Sequence, residues 1–260
     1  AAKIPTLTLG YIAHLTLDGN SANQTVATSG LRIIKATSLY AENIHVKDFK
    51  GNGIQIDDNA VILGSISTIH IRNSRIEYNL QHGIYLGPGV DGVTIVGSDI
   101  NDNGTTGQDF YNVFAEFIAG RTAISDIVLG GNLIWQAKRA NIRLHGAVQV
   151  RIFGNLVGSA PRQNILITGD ATKDSHLITI TGNTLGNASE EAASTYASVQ
   201  IGTSGTSKAT NVSVVGNTFV NPGVPALTNV DEDASSNDNT IAGNVVNGAP
   251  YTFIIRGANS

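Results

Sequence analysis

The sequence predicts an all-β chain folded as a right-handed parallel β-helix, a solenoid of about nine coils, on three observations. A short apolar-any-apolar motif recurs along the whole chain, a second alternating segment lies between its copies, and the composition is rich in glycine and poor in charge.

The motif reads apolar, any, apolar, any, Gly or Asn, Asn or Ser, any, apolar. It occurs at LTLDGNSA from Leu15, LYAENIHV from Leu39, IHIRNSRI from Ile69, VTIVGSDI from Val93 and IVLGGNLI from Ile127. It continues at VRIFGNLV from Val150, ITITGNTL from Ile178, VSVVGNTF from Val212 and NTIAGNVV from Asn239, with starts about 28 residues apart on average. A sustained period of this length marks stacked repeats, each burying its apolar face against its neighbours.

Between the copies lie GLRIIK from Gly30, GNGIQIDD from Gly51, HGIYLGPG from His82, VFAEFI from Val113, NIRLHG from Asn141, NILITGD from Asn164, SVQIGT from Ser198 and TFIIRG from Thr252. Period-2 alternation bounded by Gly, Asn and Asp marks strands with one buried face. Each coil therefore carries at least two strands. A leucine-rich repeat also places Asn after an apolar-any-apolar strand, but spacings from 23 to 34 residues and the second strand argue against it. The Ala-rich stretch 187–197 is the one candidate for a helical turn or two. If Asn132, Asn155, Asn183, Asn217 and Asn244 occupy equivalent inward turns, their amides can bond to one another and to turn backbone. The Gly before each supplies the backbone freedom such a turn needs.

Of 260 residues, 41% are hydrophobic, which is enough for a core, and the 29 glycines fit many tight turns. Charged residues are 14% and the net charge is -4, so the clustered Lys and Arg that nucleic acid requires are missing. No nucleic acid partner is expected. With no cysteine, neither disulfides nor Cys-ligated metals are possible. No apolar run approaches the length of a membrane span. The absence of Met and of a visible polar end cap suggests one β-helix domain over 1–260, excised from a longer protein or covered at its ends by other subunits.

GNGIQIDD, QHGIYLGPG and the xIxIxGNxI copies resemble coils of the pectin-lyase-like superfamily of parallel β-helices. That grouping includes pectate lyases, polygalacturonase-like hydrolases, alginate epimerases and phage tailspikes. The resemblance covers nearly the whole chain and implies a polysaccharide partner, a location outside the cell or on a virion, and a homotrimer as in tailspikes. QHGIYLG around His82 is similar to a coil of alginate epimerases, but GIQIDDN carries Gln55, Ile56 and Asp57 where those enzymes have Asp-Pro-His. The acidic calcium cluster of pectate lyases has no recognisable counterpart. No cofactor is expected, although Asp57, Asp58 and Asn59 could offer oxygen ligands to calcium.

Strand parity places Arg32, Gln55, Tyr85, Glu116, Arg143, Leu166 and Gln200 in one outward column, with Ile34, Asp57, Gly87, Ile118, His145 and Thr168 beside it. Asp58, His82, Asp109, Tyr111 and Arg139 fall on turns at the edges. Such a wall suits a sugar chain, since carboxylates and Arg bond hydroxyls or uronates while Tyr offers a ring face. Asp57, His82, Tyr85 and Glu116 are the candidate catalytic groups, and Gln55, Asp58, Tyr111, Arg139, Arg143 and His145 the candidate substrate-binding groups. No residues are assigned to a metal.

Hydrolysis needs two carboxyls about 5 Å apart for retention or about 6.5–9.5 Å apart for inversion. Asp57 and Glu116, two coils apart, would be separated by roughly 10 Å. Elimination or epimerisation instead needs a base for the proton alpha to a uronate carboxyl, a group that stabilises the anion, and an acid. His82, Tyr85, Arg143 and His145 could fill those roles. Against these stand plainer readings: Arg143 with Glu116 as a surface ion pair, Asp57 and Asp58 as turn residues, His82 as a structural turn residue. NDNGTTGQD at 101–109 and DEDASSND at 231–238 read as solvated insertions, the first placed to wall a groove. On the other strands, outward Val96, Val128, Phe153 and Val215 suggest a covered interface. The expected function is a polysaccharide-binding and -degrading β-helix, a glycoside hydrolase or polysaccharide lyase. The alternative is a non-catalytic shaft or adhesion module.

Overall fold

A computed structural model describes residues 10–34, 36–57, 66–105, 107–170, 172–192, 195–203, 208–220, 228–248 and 253–255. Among the described residues every coil contributes three strands, one more than the two legible in the sequence, and they stack into three parallel sheets of nine strands. The first sheet includes Leu39–Glu42, Val90–Val96, Ile124–Gly130 and Ala147–Phe153. The second holds three-residue strands such as His45–Lys47, Asp99–Asn101 and Leu133–Trp135. The third includes Ile54–Ile56, Ile84–Leu86, Val113–Glu116 and Ile142–His145. This is the right-handed parallel β-helix expected. Among the described residues the one helical element is a short 3₁₀ turn, Ser21–Asn23, and 187–192 and 195–197 form turns and coil instead of a helix. The leucine-rich alternative falls with that.

The third strand escaped the sequence because it follows the first after a corner of two residues. One of these takes a left-handed conformation in every coil: His14, Asn43 and Asn73, then Gly97, Gly131, Gly154, Gly182, Gly216 and Gly243, with φ between 48° and 65°. Glycine dominates because it meets no Cβ penalty there, and Asn is the next best tolerated. The corner also corrects the first repeat: Thr16 pairs with His45 and Gly10 with Leu39, so LTLDGNSA from Leu15 lies on the second sheet. The true first copy starts at Gly10.

The second corner residue is buried and builds the expected amide ladder. Asn132, Asn155 and Asn183 each donate through backbone N and Nδ2 to Oδ1 of the next asparagine at 2.9–3.0 Å, and Asn217 does so to Asn244 at 2.9 and 3.1 Å. A second ladder, not anticipated, runs at the entrance to the third sheet. Asn79 donates to Asn103, Asn103 to Asn112 and Asn112 to Asn141, each at 2.9 Å, and Asn141 to Asn164 at 3.2 Å. Between the ladders, columns of Ile, Val and Leu from all three sheets fill the interior, most with no exposure. β-Branched side chains suit this core because they pack on a pleated surface with little rotamer loss.

The segment 231–238 is not a solvated insertion. Asp231 and Glu232 belong to the strand Val230–Glu232 of the third sheet, and Glu232 is fully buried, its Oε1 accepting from Asn239 Nδ2 at 2.7 Å.

Candidate functional site

Register sets the outer face of the third sheet. Ile54, Ile84, Val113 and Ile142 are successive partners with no exposure, so Gln55, Tyr85, Phe114 and Arg143 make one outward column, continuing to Leu166 and Gln200. Two residues on, Asp57, Gly87, Glu116, His145 and Thr168 make the second column. Glu116 therefore sits beside His145, not in the Tyr85 column, and Ile118 leaves the wall for an exposed turn. Parity assigns the face of a residue but not its register, and Phe114 holds the place given to Glu116. The usable signal was Asn directly before the strand in Asn112-Val113, Asn141-Ile142 and Asn164-Ile165, the second ladder.

Phe114 points away from the core yet is 6% exposed, because the insertion over 107–112 folds back over it. That insertion brings Tyr111 to a centroid distance of 5.1 Å from Phe114 and Phe110 to 5.1 Å from His82. Asp109 anchors it through an ion pair with Arg139 at 2.9 Å. The stretch 101–109 is not simply solvated, since Asn103 is buried in the amide ladder, and the rings beside the site, Phe110 and Tyr111, follow it.

His82 lies inside this cluster, stacked on Tyr111 at 5.6 Å and Tyr85 at 5.7 Å. Its Nδ1 accepts the Tyr111 backbone N–H at 3.1 Å, so the neutral ring carries its proton on Nε2. Burial, with the Arg143 charge adding to it, lowers its pKa to about 3. Arg143 donates from Nη1 to the Tyr111 hydroxyl at 2.7 Å and lies over the Tyr111 and Phe114 rings at 5.4 and 5.3 Å. Its contacts are therefore to aromatic groups, and the ion pair with Glu116 weighed as the plainer reading is not formed among the described residues.

Tyr85 donates to Glu116 Oε2 at 2.8 Å. Burial and then this bond raise the phenol pKa far above its ordinary range, with the Glu116 and Asp57 charges adding to the effect. The ring is free to lie across the wall because Gly87 has no side chain: a Cβ there would meet Asp57 Cβ at 2.8 Å and Tyr85 Cε1 at 2.9 Å.

His145 Nδ1 is 3.0 Å from Thr168 Oγ1, and that hydroxyl donates to the Leu144 carbonyl at 3.4 Å. The hydroxyl proton is thus committed, so His145 donates from Nδ1 and keeps the lone pair on Nε2. Burial, then Arg143, lowers the His145 pKa against the opposing charges of Asp170 and Glu116. Asp57 is engaged differently: Gln55 Nε2 donates to its Oδ2 at 2.7 Å, Arg32 pairs with its Oδ1 at 3.4 Å, and Ser29 holds Gln55 at 2.7 Å. Asp58 and Asn59 lie outside the described residues. Among the described residues no group of three His, Asp or Glu side chains is placed to hold a metal.

The structure thus brings Tyr85, Glu116, Arg143 and His145 together on one wall, with His82 and Tyr111 packed beneath, Asp57 and Gln55 in a separate network and Arg139 at the edge. Phe110 and Phe114 complete it and were missed, while Thr168, placed on the wall by parity, had been given no role.

No protein-family model matches the chain, and no curated protein matches its sequence. Its fold is shared with solved structures. The A-module of the Azotobacter vinelandii mannuronan C-5 epimerase AlgE6 superposes with a TM-score of 0.67 at 16% identity, covering 96% of this chain and 71% of that one. The Dettilon tailspike protein gives 0.61 at 14% identity, over 91% of this chain and 54% of the tailspike. PfbA, a surface adhesin of Streptococcus pneumoniae, gives 0.56 at 14%, over 93% and 70%. The chain has the parallel β-helix architecture of these structures.

Proposed function

We propose that this β-helix binds and degrades a polysaccharide along its third sheet, acting as a lyase on a uronate-containing chain. The observation that carries the reading is the hydrogen-bonded Tyr85–Glu116 pair, with His145 and Arg143 presented by the next coil. Neighbouring strands lie about 4.8 Å apart, so these groups span little more than one sugar ring. Similarity to an epimerase module and to tailspikes supports a polysaccharide as the partner.

In this reading Arg143 binds the uronate carboxylate and stabilises the anion that forms when the neighbouring C5–H bond breaks. His145 Nε2 takes that proton. The C4–O bond then breaks, a C4–C5 double bond forms, and the Tyr85–Glu116 pair supplies a proton to the departing oxygen. Solvent restores the pair as His145 releases its proton. The depressed pKa of His145 keeps it neutral near pH 7, and the raised pKa of Tyr85 keeps it protonated. His82 is a positioning residue, since its Nδ1 is occupied by backbone. Hydrolysis by Asp57 and Glu116 is less well supported, because they are two coils apart, roughly 10 Å, and Asp57 is already held by Gln55 and Arg32.

The test is a screen of acidic and neutral bacterial polysaccharides, with and without calcium, following reducing ends and the absorbance of unsaturated uronates. Reducing ends with that absorbance support the lyase. Reducing ends alone would transfer the reaction to a hydrolytic pair. A second reading, a non-catalytic shaft or adhesion module, is favoured by one feature: Tyr111, Phe114 and His82 are spent on packing. It predicts no product from any glycan and no loss of function on substituting Glu116.

Location outside the cell or on a virion, and assembly as a homotrimer, belong to the same proposal. Phe153, 42% exposed on the first sheet, fits a covered face between copies, which light scattering on the purified protein tests directly. No helix among the described residues is long and apolar enough to cross a membrane.

A further inference from the structure

The second sheet carries a feature with no part in the third-sheet chemistry. Its outer column runs Asn101, Trp135, Gly158, Gly186 in paired register over four consecutive coils. A Cβ on Gly158 would lie 2.5 Å from Trp135 Cζ3 and 2.8 Å from Cη2, so the six-membered part of the indole lies over that glycine. Gly158 is buried by it, while Trp135 keeps partial exposure. With no side chain at Gly158, the indole lies along the sheet and shows its other face outward. Trp135 is the chain's single tryptophan.

The ring borders a pocket of about 320 Å³ whose rim includes Asn101, Gln136, Asp102, Arg75 and Tyr78. At Arg75 this pocket meets a second, of about 440 Å³, that continues toward the N-terminal coils past Asp99 and His45. Together they form a groove along the solenoid axis.

The charges lining this groove are compensated. Arg75 pairs with Glu77 at 2.8 Å and approaches Asp99 at 3.7 Å, and Asp102 pairs with Lys138 at 2.9 Å. Asn101 donates from Nδ2 to Asp99 Oδ1 at 2.6 Å, which turns its carbonyl oxygen and the Gln136 amide into the polar groups beside the aromatic face. That is the chemistry of a neutral pyranose: axial C–H bonds rest on the indole face, and hydroxyls exchange hydrogen bonds with planar amides. A charged residue would find no unpaired counter-ion here, unlike at Arg143 on the third sheet.

We propose that the second sheet holds a separate carbohydrate-binding subsite, centred on Trp135, Asn101 and Gln136, that takes neutral hexopyranose units. It is independent of the reaction assigned to the third sheet.

Because Trp135 is the only tryptophan, its emission reports the site directly. The full chain is titrated with cellohexaose, maltohexaose, mannohexaose and laminarihexaose, with hexagalacturonate as the acidic comparison. The proposal expects a saturable change in emission with at least one neutral hexaose, stronger than with hexagalacturonate. That change should persist in Glu116→Gln and weaken at least tenfold in the double variant Asn101→Ala with Gln136→Ala. This double variant alters exposed or half-exposed groups, and its far-UV spectrum and unliganded emission verify the fold. No saturable change with any neutral hexaose would overturn the proposal. So would a preference for hexagalacturonate, or a response that survives the double variant.

Discussion

The Tyr85 hydroxyl donates to the Glu116 carboxylate at 2.8 Å, linking adjacent coils across the two outward columns of the third sheet. If this pair serves as the acid, Tyr85→Phe and Glu116→Gln should each lower kcat by about 10²–10⁴-fold. Both side chains are partly exposed on the outer wall, so far-UV spectra should not change. Kinetics on the substrate found in the glycan screen, with equal losses in the two variants, would support one functional unit. A loss confined to KM would reduce the pair to binding.

Gly87 determines whether that pair can form. In Gly87→Ala the new methyl would need the space of Tyr85 Cε1 and Asp57 Cβ. The ring, as the more movable neighbour, should lift and break its bond to Glu116. Activity should fall about as far as in Tyr85→Phe, since the same group is displaced. Activity equal to wild type would show that the Tyr85 orientation is irrelevant.

The acid limb of the activity profile should sit low. Burial and Arg143 hold the His145 pKa below its ordinary value, so its Nε2 remains a competent base at a pH where an exposed histidine would be protonated. The plateau in kcat/KM should therefore extend below pH 6.5, and Arg143→Gln should move the limb upward. A limb that does not respond to Arg143 would assign it to another group.

His82 makes stability depend on pH in a defined direction. The folded protein holds the ring neutral with a pKa of about 3, while the unfolded chain protonates near 6.5. The unfolded state then binds more protons between these values, and stability falls as pH drops through that window, by about 1.4 kcal/mol per pH unit from this residue. Above pH 6.5 the residue has no effect on the slope. Denaturant melts from pH 7 to pH 4 should show the loss, and His82→Gln should reduce the slope while lowering stability at pH 7.

The ladder asparagines should be costly to remove. Asn155→Ala deletes the acceptor for Asn132 N and Nδ2 and the donor to the Leu129 carbonyl, all buried. Leaving them unsatisfied should cost about 3 kcal/mol or more, seen as a lower melting temperature.

The asparagine ladder from Asn132 to Asn244 was legible because Gly-Asn recurs in one frame with alternating apolar residues, and only stacked coils satisfy both. The strand after each corner was not: three residues such as His45–Lys47 are too short for alternation to show. Within the candidate site, parity alone sent Tyr85, Arg143, His145 and Glu116 outward. Register, set by Asn112, Asn141 and Asn164 pairing across coils, put Phe114 beside Tyr85 and Glu116 beside His145. The burial of His82 under Tyr111 was invisible because the insertion over 107–112 has no periodicity to say which way it folds. What the sequence alone determined was the solenoid and its polar wall, since those follow from local repetition. Which wall residues touch, and which are buried, was decided by the tertiary structure, because contacts between coils join residues about 30 positions apart that local patterning cannot align.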